Sequence, residues 1–122
     1  MCNCLHPESK PIPKSGIGWK LFRPNGDMLQ FGGGAYKTDP DGWVRWHWRG
    51  EWHDEDNCGF CFFRTKRGAE KWAQEWYNHT RRNIVTLCKI EYEDGLGSHV
   101  EHHFIHPHRV TTALCRKFRV IE

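Results

Sequence analysis

The chain has 122 residues, a length that favours one domain with a single hydrophobic core. Seven tryptophans, seven phenylalanines and three tyrosines can fill that core, which argues against a disordered chain. The formal charge of +3 is mild, and no apolar run approaches the roughly 18 to 20 residues that cross a bilayer. We therefore expect no membrane contact.

The cysteines and the charge distribution bear on compartment and partners. The first residues lack the apolar stretch of an export signal, so we expect a soluble protein of the cytoplasm. In that compartment the six cysteines are expected to be free thiols or metal ligands, with disulfides the less favoured state.

Residues 57–122 hold eleven Lys and Arg against seven Asp and Glu, so this half is basic and suits an acidic partner.

The N-terminal part predicts a leader followed by a hairpin. Two prolines in "KPIPKSG" predict a flexible leader over residues 1–16 and a single domain over residues 17–122. "GWKLFRPNGDMLQF" predicts a hairpin, because Asn-Gly supplies the positive dihedral angles that a tight turn requires. "GGGAYKTDPDG" predicts a flexible loop.

The Trp-rich segment "WVRWHWRGEW" predicts a strand with one buried and one wet face. Val44, Trp46 and Trp48 share one parity, and the intervening cations share the other. Stacking on nucleic-acid bases needs Trp and Arg on one exposed face, and here parity separates them apart from Trp43. A polar surface with an aromatic anchor suits a protein interface. The predicted anchor cluster consists of Trp43, Arg45, His47 and Arg49.

The segment "CGFCFF" fits either a strand or a metal knuckle. In a strand, Cys58 and Cys61 point to opposite faces and cannot hold one ion. In a knuckle around Gly59 the two thiolates converge, and the histidines of residues 99–108 and the N-terminal C-x-C-x-H supply further ligands. The candidate zinc ligands are Cys2, Cys4, His6, Cys58 and Cys61. A strand with no cofactor is the favoured interpretation, with zinc as the alternative.

The segment "TKRGAEKWAQEWYNHT" predicts the helix. Ala69, Trp72 and Ala73 begin an apolar stripe with helical spacing that continues through Trp76 and Tyr77, and it suits packing on a sheet. Thr65 fits the N-cap. The cations at the start of the helix, Arg64, Lys66 and Arg67, join the predicted partner-binding residues.

The C-terminal third predicts further strands. "NIVTLCKIEYEDG" and "ALCRKFRVI" have strand patterns, while the histidines between them suit either a polar strand edge or a functional site. The whole pattern predicts an α+β fold, in which a mainly antiparallel sheet of about five to six strands packs against one amphipathic helix. No Walker loop, Rossmann glycine pattern, nucleophile elbow or H-E-x-x-H motif is present, so we expect a protein that is not an enzyme.

The order "GIGWKLFR", a Trp-rich middle, "CGFCFFRTKRGAEKW", "VTLCKIEYEDGLGSH" and "RKFRVI" resembles small phage-encoded and prophage-encoded proteins of unknown function. Their pattern often has histidine at the position of Cys61. The resemblance covers about residues 16–121 and implies an α+β fold without established catalytic residues.

The resemblance also implies a function in a mobile element inside the cytoplasm of a bacterial host cell, namely a stoichiometric binder or inhibitor of a host protein or ribonucleoprotein complex. A nuclease-based defence system such as CRISPR-Cas is one such target. Two alternatives stay open: a zinc-dependent structural module, and a nucleic-acid-binding module that uses the basic second half.

Overall fold

Six strands and one helix make up the part of the chain that the computed structural model describes, which is residues 5, 7–22, 36–46, 58–80, 86–102 and 109–121. In chain order they are β1 (Ser15–Phe22), β2 (Tyr36–Thr38), β3 (Val44–Trp46), β4 (Phe60–Phe63), α1 (Lys66–Thr80), β5 (Thr86–His102) and β6 (Arg109–Val120).

The strands form one antiparallel sheet that closes on itself. Its order is β2-β3-β6-β4-β1-β5, and β5 also pairs with β6 along most of its length. Because β1 and β6 each pair with both β4 and β5, these four strands form a ring. Strands β3 and β2 extend from the second half of β6. The predicted α+β class, with a mainly antiparallel sheet and one helix, is confirmed.

The interior of the ring is an aromatic core. Phe60 and Phe62 of β4 are almost fully buried there with Phe118 and Tyr92. The Phe60 and Phe118 rings meet edge to face at a centroid distance of 5.0 Å, a preferred geometry for aromatic pairs. Phe63, the next residue in β4, belongs to a second core under the helix. The alternation predicted for "CGFCFF" as a strand is therefore confirmed.

Helix α1 begins and packs as its sequence predicts. The Thr65 Oγ1 atom accepts a hydrogen bond from the Gly68 N–H over 3.1 Å, which makes Thr65 the N-cap. Ala69 and Trp72 are buried against Leu21 and Phe63 of the sheet. Within the described residues, no helix is long and apolar enough to cross a membrane.

Two strands differ from the sequence-based expectations. Residues Tyr36–Thr38, predicted as loop, pair with Val44–Trp46 as strand β2, because Gly42 has a φ of 90° and closes a tight turn after Asp39. Strand β5 runs without interruption from the predicted strand into the histidine-rich segment and absorbs a register shift between Gly95 and Gly97. The second half of the predicted hairpin, residues 28–31, lies outside the described residues.

Part of the leader is hydrogen-bonded to β5. The Lys10 N–H and C=O groups pair with Ser98 over 2.7 and 2.8 Å, and the Gly95 N–H donates to the Lys14 carbonyl over 3.0 Å. Pro11 and Pro13 have no N–H, so the ladder between these contacts is broken. Strand β1 begins at Ser15, two residues before the predicted start of the domain. Residues 10–14 thus continue the line of β1 along β5 and are hydrogen-bonded to the domain.

Candidate functional site

The predicted anchor residue Trp43 is covered by two cations of β6. It precedes β3, whose Val44 and Arg45 pair with Phe118 and Lys117. The Lys117 Nζ atom lies 4.5 Å and the Arg119 Cζ atom 4.7 Å from the centroid of a Trp43 ring, within the range of cation–π contacts. Only 7% of Trp43 is exposed. Trp43 is therefore a packing residue of this face and is not the exposed anchor that the sequence predicted.

The cations around Trp43 are all engaged in ion pairs across the sheet. Lys117 Nζ lies 3.2 Å from Glu93 Oε2, and Arg119 Nη2 lies 2.7 Å from Glu91 Oε2. Arg45 is bonded to Asp39, and this hydrogen bond is the main reason that the pKa of Arg45 is raised above its usual value. We call the surface of these three ion pairs the paired face. Each cation has one carboxylate, so the paired face has little net charge to attract an anion.

The remaining members of the predicted anchor cluster divide into two groups. The Arg45 side chain is 53% exposed, as the strand parity predicted, although it is held by Asp39. His47 and Arg49 lie outside the described residues. The described part of the cluster therefore contains one exposed cation that already has a partner.

The start of α1 has a different electrostatic character. Arg64, Lys66 and Arg67 are exposed, and Lys71 is exposed one turn later. The first turn of the helix contains no acidic residue, and these cations add to the positive end of the helix dipole. Lys66 Nζ lies 3.9 Å from Glu70 Oε1, and both side chains are well exposed. We call Arg64, Lys66, Arg67 and Lys71 the helix-start cluster.

A buried lysine lies inside the ring, which the sequence did not predict. Lys20 is 4% exposed, and its Nζ atom donates to the Cys61 carbonyl and lies 5.7 Å from the Phe118 ring centroid. Burial lowers the pKa of Lys20, partly opposed by Cys61 and Cys115. Burial also raises the pKa of the Cys115 thiol to about 12, so this thiol is protonated at neutral pH.

The structure contradicts a zinc knuckle formed by Cys58 and Cys61. Cys58 is disulfide-bonded, whereas Cys61, Cys88 and Cys115 are free thiols. A sulfur in a disulfide is not a thiolate ligand, and strand geometry directs Cys61 to the other face. The sequence favoured free thiols or metal ligands over disulfides, and Cys58 differs from that expectation. Cys2, Cys4 and His6 lie outside the described residues, and within those residues no group of three or more metal-ligating side chains is present.

Gly59 has a packing function in place of the turn that a knuckle requires. A Cβ atom at Gly59 would lie 2.3 Å from the backbone oxygen of Cys115, so the absence of a side chain lets β4 approach β6. The segment "CGFC" is thus a buried strand entry with one disulfide-bonded cysteine and one free cysteine.

The sequence did not predict that the leader, residues 10–14, is held against the sheet. Tyr92 donates a hydrogen bond to the Pro13 carbonyl over 3.2 Å, 79 residues away in the chain, and no local pattern predicts such a contact.

The pattern of "WKLF" gave no sign that Lys20 is buried, because a lone cation between apolar residues is usually exposed.

Comparisons of the chain with protein-family models, with curated proteins and with solved structures found no match.

Proposed function

We propose that the protein is a stoichiometric binding protein that occupies an acidic surface of a host macromolecular complex through the helix-start cluster. The setting we propose follows the sequence resemblance: an accessory protein of a phage or prophage that inhibits a host complex, for example a nuclease-based defence system such as CRISPR-Cas. A host protein or a ribonucleoprotein is the partner, and no cofactor is needed.

The observation that supports this proposal is the contrast between two groups of cations. On the paired face, Arg45, Lys117 and Arg119 each have a carboxylate partner. In the helix-start cluster, Arg64 and Arg67 are exposed and have no acidic partner among the described residues. An unpaired surface cation loses little by exchanging water for an external carboxylate or phosphate, whereas a paired cation must first give up its own partner. The helix-start cluster is therefore the better binding surface.

The chemistry of the buried groups suits a binder better than a catalyst. Cys115 and Cys61 are enclosed in the core, and a protonated buried thiol is a poor nucleophile. Burial lowers the pKa of the Lys20 amine, which is a property of some catalytic lysines. Its Nζ atom, however, donates a hydrogen bond to the Cys61 carbonyl inside the ring. The buried thiols and the buried lysine are therefore explained by packing of the core and need no catalytic function.

Affinity capture with matched charge variants tests the proposal. Tagged wild-type protein is expected to retain one complex from a bacterial lysate at a fixed stoichiometry and to inhibit the activity of that complex. The double variant Arg64→Glu with Arg67→Glu should lose capture and inhibition while its melting temperature stays within about 2 °C of wild type, since surface substitutions cost little stability.

Arg45→Glu is the control, because it also reverses an exposed arginine but on the paired face. It should retain capture. If Arg45→Glu abolishes capture and the double variant does not, the binding surface is the paired face and the assignment to the helix-start cluster is wrong. If wild-type protein retains no complex from any lysate of a susceptible host, the proposed function is wrong.

A further inference from the structure

Among the cations whose side-chain exposure the structure describes, those that are exposed and have no acidic partner lie in two segments. They are Lys10 and Lys14 in the leader and Arg64, Arg67 and Lys71 at the start of α1. The two segments are about 50 residues apart in sequence, and only the second was predicted to bind a partner.

The structure brings these two segments to the end of the sheet where β1 begins. The Tyr92 hydroxyl donates to the Pro13 carbonyl over 3.2 Å, which fixes the residue next to Lys14. Strand β4 is antiparallel to β1, with Phe63 opposite Trp19, so Arg64 follows β4 at the end of the sheet where β1 begins, and Lys14 directly precedes β1 there. The Gly95 N–H holds the Lys14 carbonyl on the other side. The leader and the helix-start cluster therefore lie at the same end of the sheet.

The leader packs closely against β5, so Lys10 and Lys14 have fixed backbone positions next to the sheet. A Cβ atom at Gly95 would lie 2.4 Å from the Pro13 carbonyl oxygen, so the leader backbone runs directly over this glycine. Ile12 packs against the aromatic core of the ring. Lys10 and Lys14 flank this anchored residue and are both exposed.

The charge of the two segments exceeds that of the whole protein. Residues 10–14 and 64–71 contain six cations and one acid, a net charge of +5, whereas the whole chain has +3. The remainder of the chain therefore has a net charge of −2. A local excess of this kind attracts a polyanion even when the total charge is small.

The composition of this surface favours a phosphate backbone over a protein. Protein interfaces depend on central apolar anchors, and the large apolar side chains exposed in the described residues, Ile17, Val100, Val120 and Ile121, all lie outside the two segments. Phosphates are bound by Lys and Arg and by free N–H groups at helix N-termini. The surface offers the cations, and four of them lie at the positive end of the helix dipole.

We infer that Lys10, Lys14, Arg64, Arg67 and Lys71 form one basic band that binds the phosphate backbone of a nucleic acid without reading its sequence. The inference rests on the proposed function, since it names the component of the host complex that the helix-start cluster contacts. Binding of this kind is driven by release of counterions, so its affinity falls with salt.

Fluorescence anisotropy with labelled single-stranded RNA, single-stranded DNA and duplex DNA of mixed sequence tests this inference. Wild-type protein is expected to bind at low salt, with a linear fall of log K against log salt concentration. The double variant Lys10→Gln with Lys14→Gln should reduce the slope by about 1.4 to 1.8, since each phosphate contact contributes about 0.7 to 0.9. Arg64→Gln with Arg67→Gln should reduce it by a similar amount.

Arg45→Gln is the matched control, because it removes one positive charge from the paired face and should leave the slope unchanged. Absence of binding by wild-type protein at low salt overturns the inference. A slope that is unaffected by the leader pair overturns it too, because the band then does not include the leader.

A nuclease-treated capture separates this inference from the proposed function. Capture of one complex that survives nuclease, together with no binding to any of the three probes, overturns the basic band and leaves the binding protein intact. Salt-dependent binding to the probes without capture of any complex supports the basic band and overturns the proposed function. Capture that nuclease abolishes, with probe binding that depends on Lys10 and Lys14, supports both.

Discussion

The Nζ atom of Lys20 donates a hydrogen bond to the backbone carbonyl of Cys61 over 2.5 Å, in the interior of the ring formed by β1, β4, β5 and β6. Among the described residues Lys20 is the only buried cation, and the surrounding side chains include the Phe118 ring and the Cys115 thiol. A lysine in such surroundings is costly in its charged form, because it gives up its hydration for one carbonyl and a ring face.

Replacing Lys20 by methionine is expected to stabilise the protein. Lys20→Met keeps the chain length and removes the desolvation of an ammonium group, but leaves the Cys61 carbonyl without this donor. The net gain in the free energy of unfolding at pH 7 should be roughly 1 kcal/mol. Chemical denaturation with an unchanged m-value measures it. A loss of more than about 2 kcal/mol would show that Lys20 is required for the ring.

The pH dependence of the wild-type protein provides a second readout for Lys20. Its folded-state pKa is lowered from 10.5, so the unfolded chain holds a proton that the folded protein has released. Unfolding then takes up a proton, and the free energy of unfolding rises with pH from the folded-state pKa towards 10.5. Lys20→Met should remove this rise. A rise of equal size in the variant would assign it to another group.

Cys115 is expected to produce the opposite dependence at alkaline pH. Burial raises its pKa from 9.0 to about 12, so the folded protein keeps a proton that the unfolded chain loses. Stability is complete below pH 9 and falls between pH 9 and 12, by about 1.4 kcal/mol per pH unit for one thiol. Cys115→Ala should lower stability at pH 7 and flatten this fall. The half-buried Cys88 is the control, since Cys88→Ala should leave most of the fall in place.

The state of Cys58 separates a disulfide from a zinc ligand. Because Cys58 is disulfide-bonded, reduction should lower the free energy of unfolding by roughly 2 to 4 kcal/mol, through the greater freedom of the reduced unfolded chain. Excess chelator should leave the melting temperature unchanged. Cys58→Ser should reproduce the effect of reduction, and Cys88→Ser should not. A melting temperature that falls with chelator and not with reductant would restore the zinc interpretation.

The N-cap of α1 allows stability and binding to be varied separately. Thr65→Ala should cost about 1 kcal/mol, because the Gly68 N–H loses its acceptor. Thr65→Asp keeps an acceptor and adds a negative charge next to Arg64 and Lys66, so it should preserve stability and weaken binding of nucleic acid. Thermal denaturation and the anisotropy titration measure the two effects. Equal binding by Thr65→Asp and wild type would place the bound phosphates away from the helix start.

The sequence predicted the elements whose signals are local. The spacing of Ala69 and Trp72 and the cap at Thr65 predicted α1, and alternation predicted which side of β4 each aromatic residue occupies. The closed ring, the burial of Lys20 and the contact of Tyr92 with Pro13 depend on pairings between distant segments, and local propensity carries no information about them. Strand parity placed Trp43 on the polar side of β3. It could not show that Lys117 and Arg119 of the distant strand β6 cover the Trp43 ring.

Gly59 tests the close approach of β4 and β6 that replaces a metal knuckle. In Gly59→Ala the new methyl group would lie 2.3 Å from the Cys115 backbone oxygen, so one strand must move, and we expect a loss of about 3 kcal/mol or more. Gly16→Ala is the matched control, because the three atoms nearest to its methyl group would all belong to the Tyr92 side chain, at 3.2 to 3.3 Å, and a side chain moves more easily than a strand. It should cost less than about 1.5 kcal/mol. Denaturant titration of both variants measures the difference. Equal stability of Gly59→Ala and wild type would mean that β4 and β6 are farther apart here, and a turn around Gly59 would again fit the sequence.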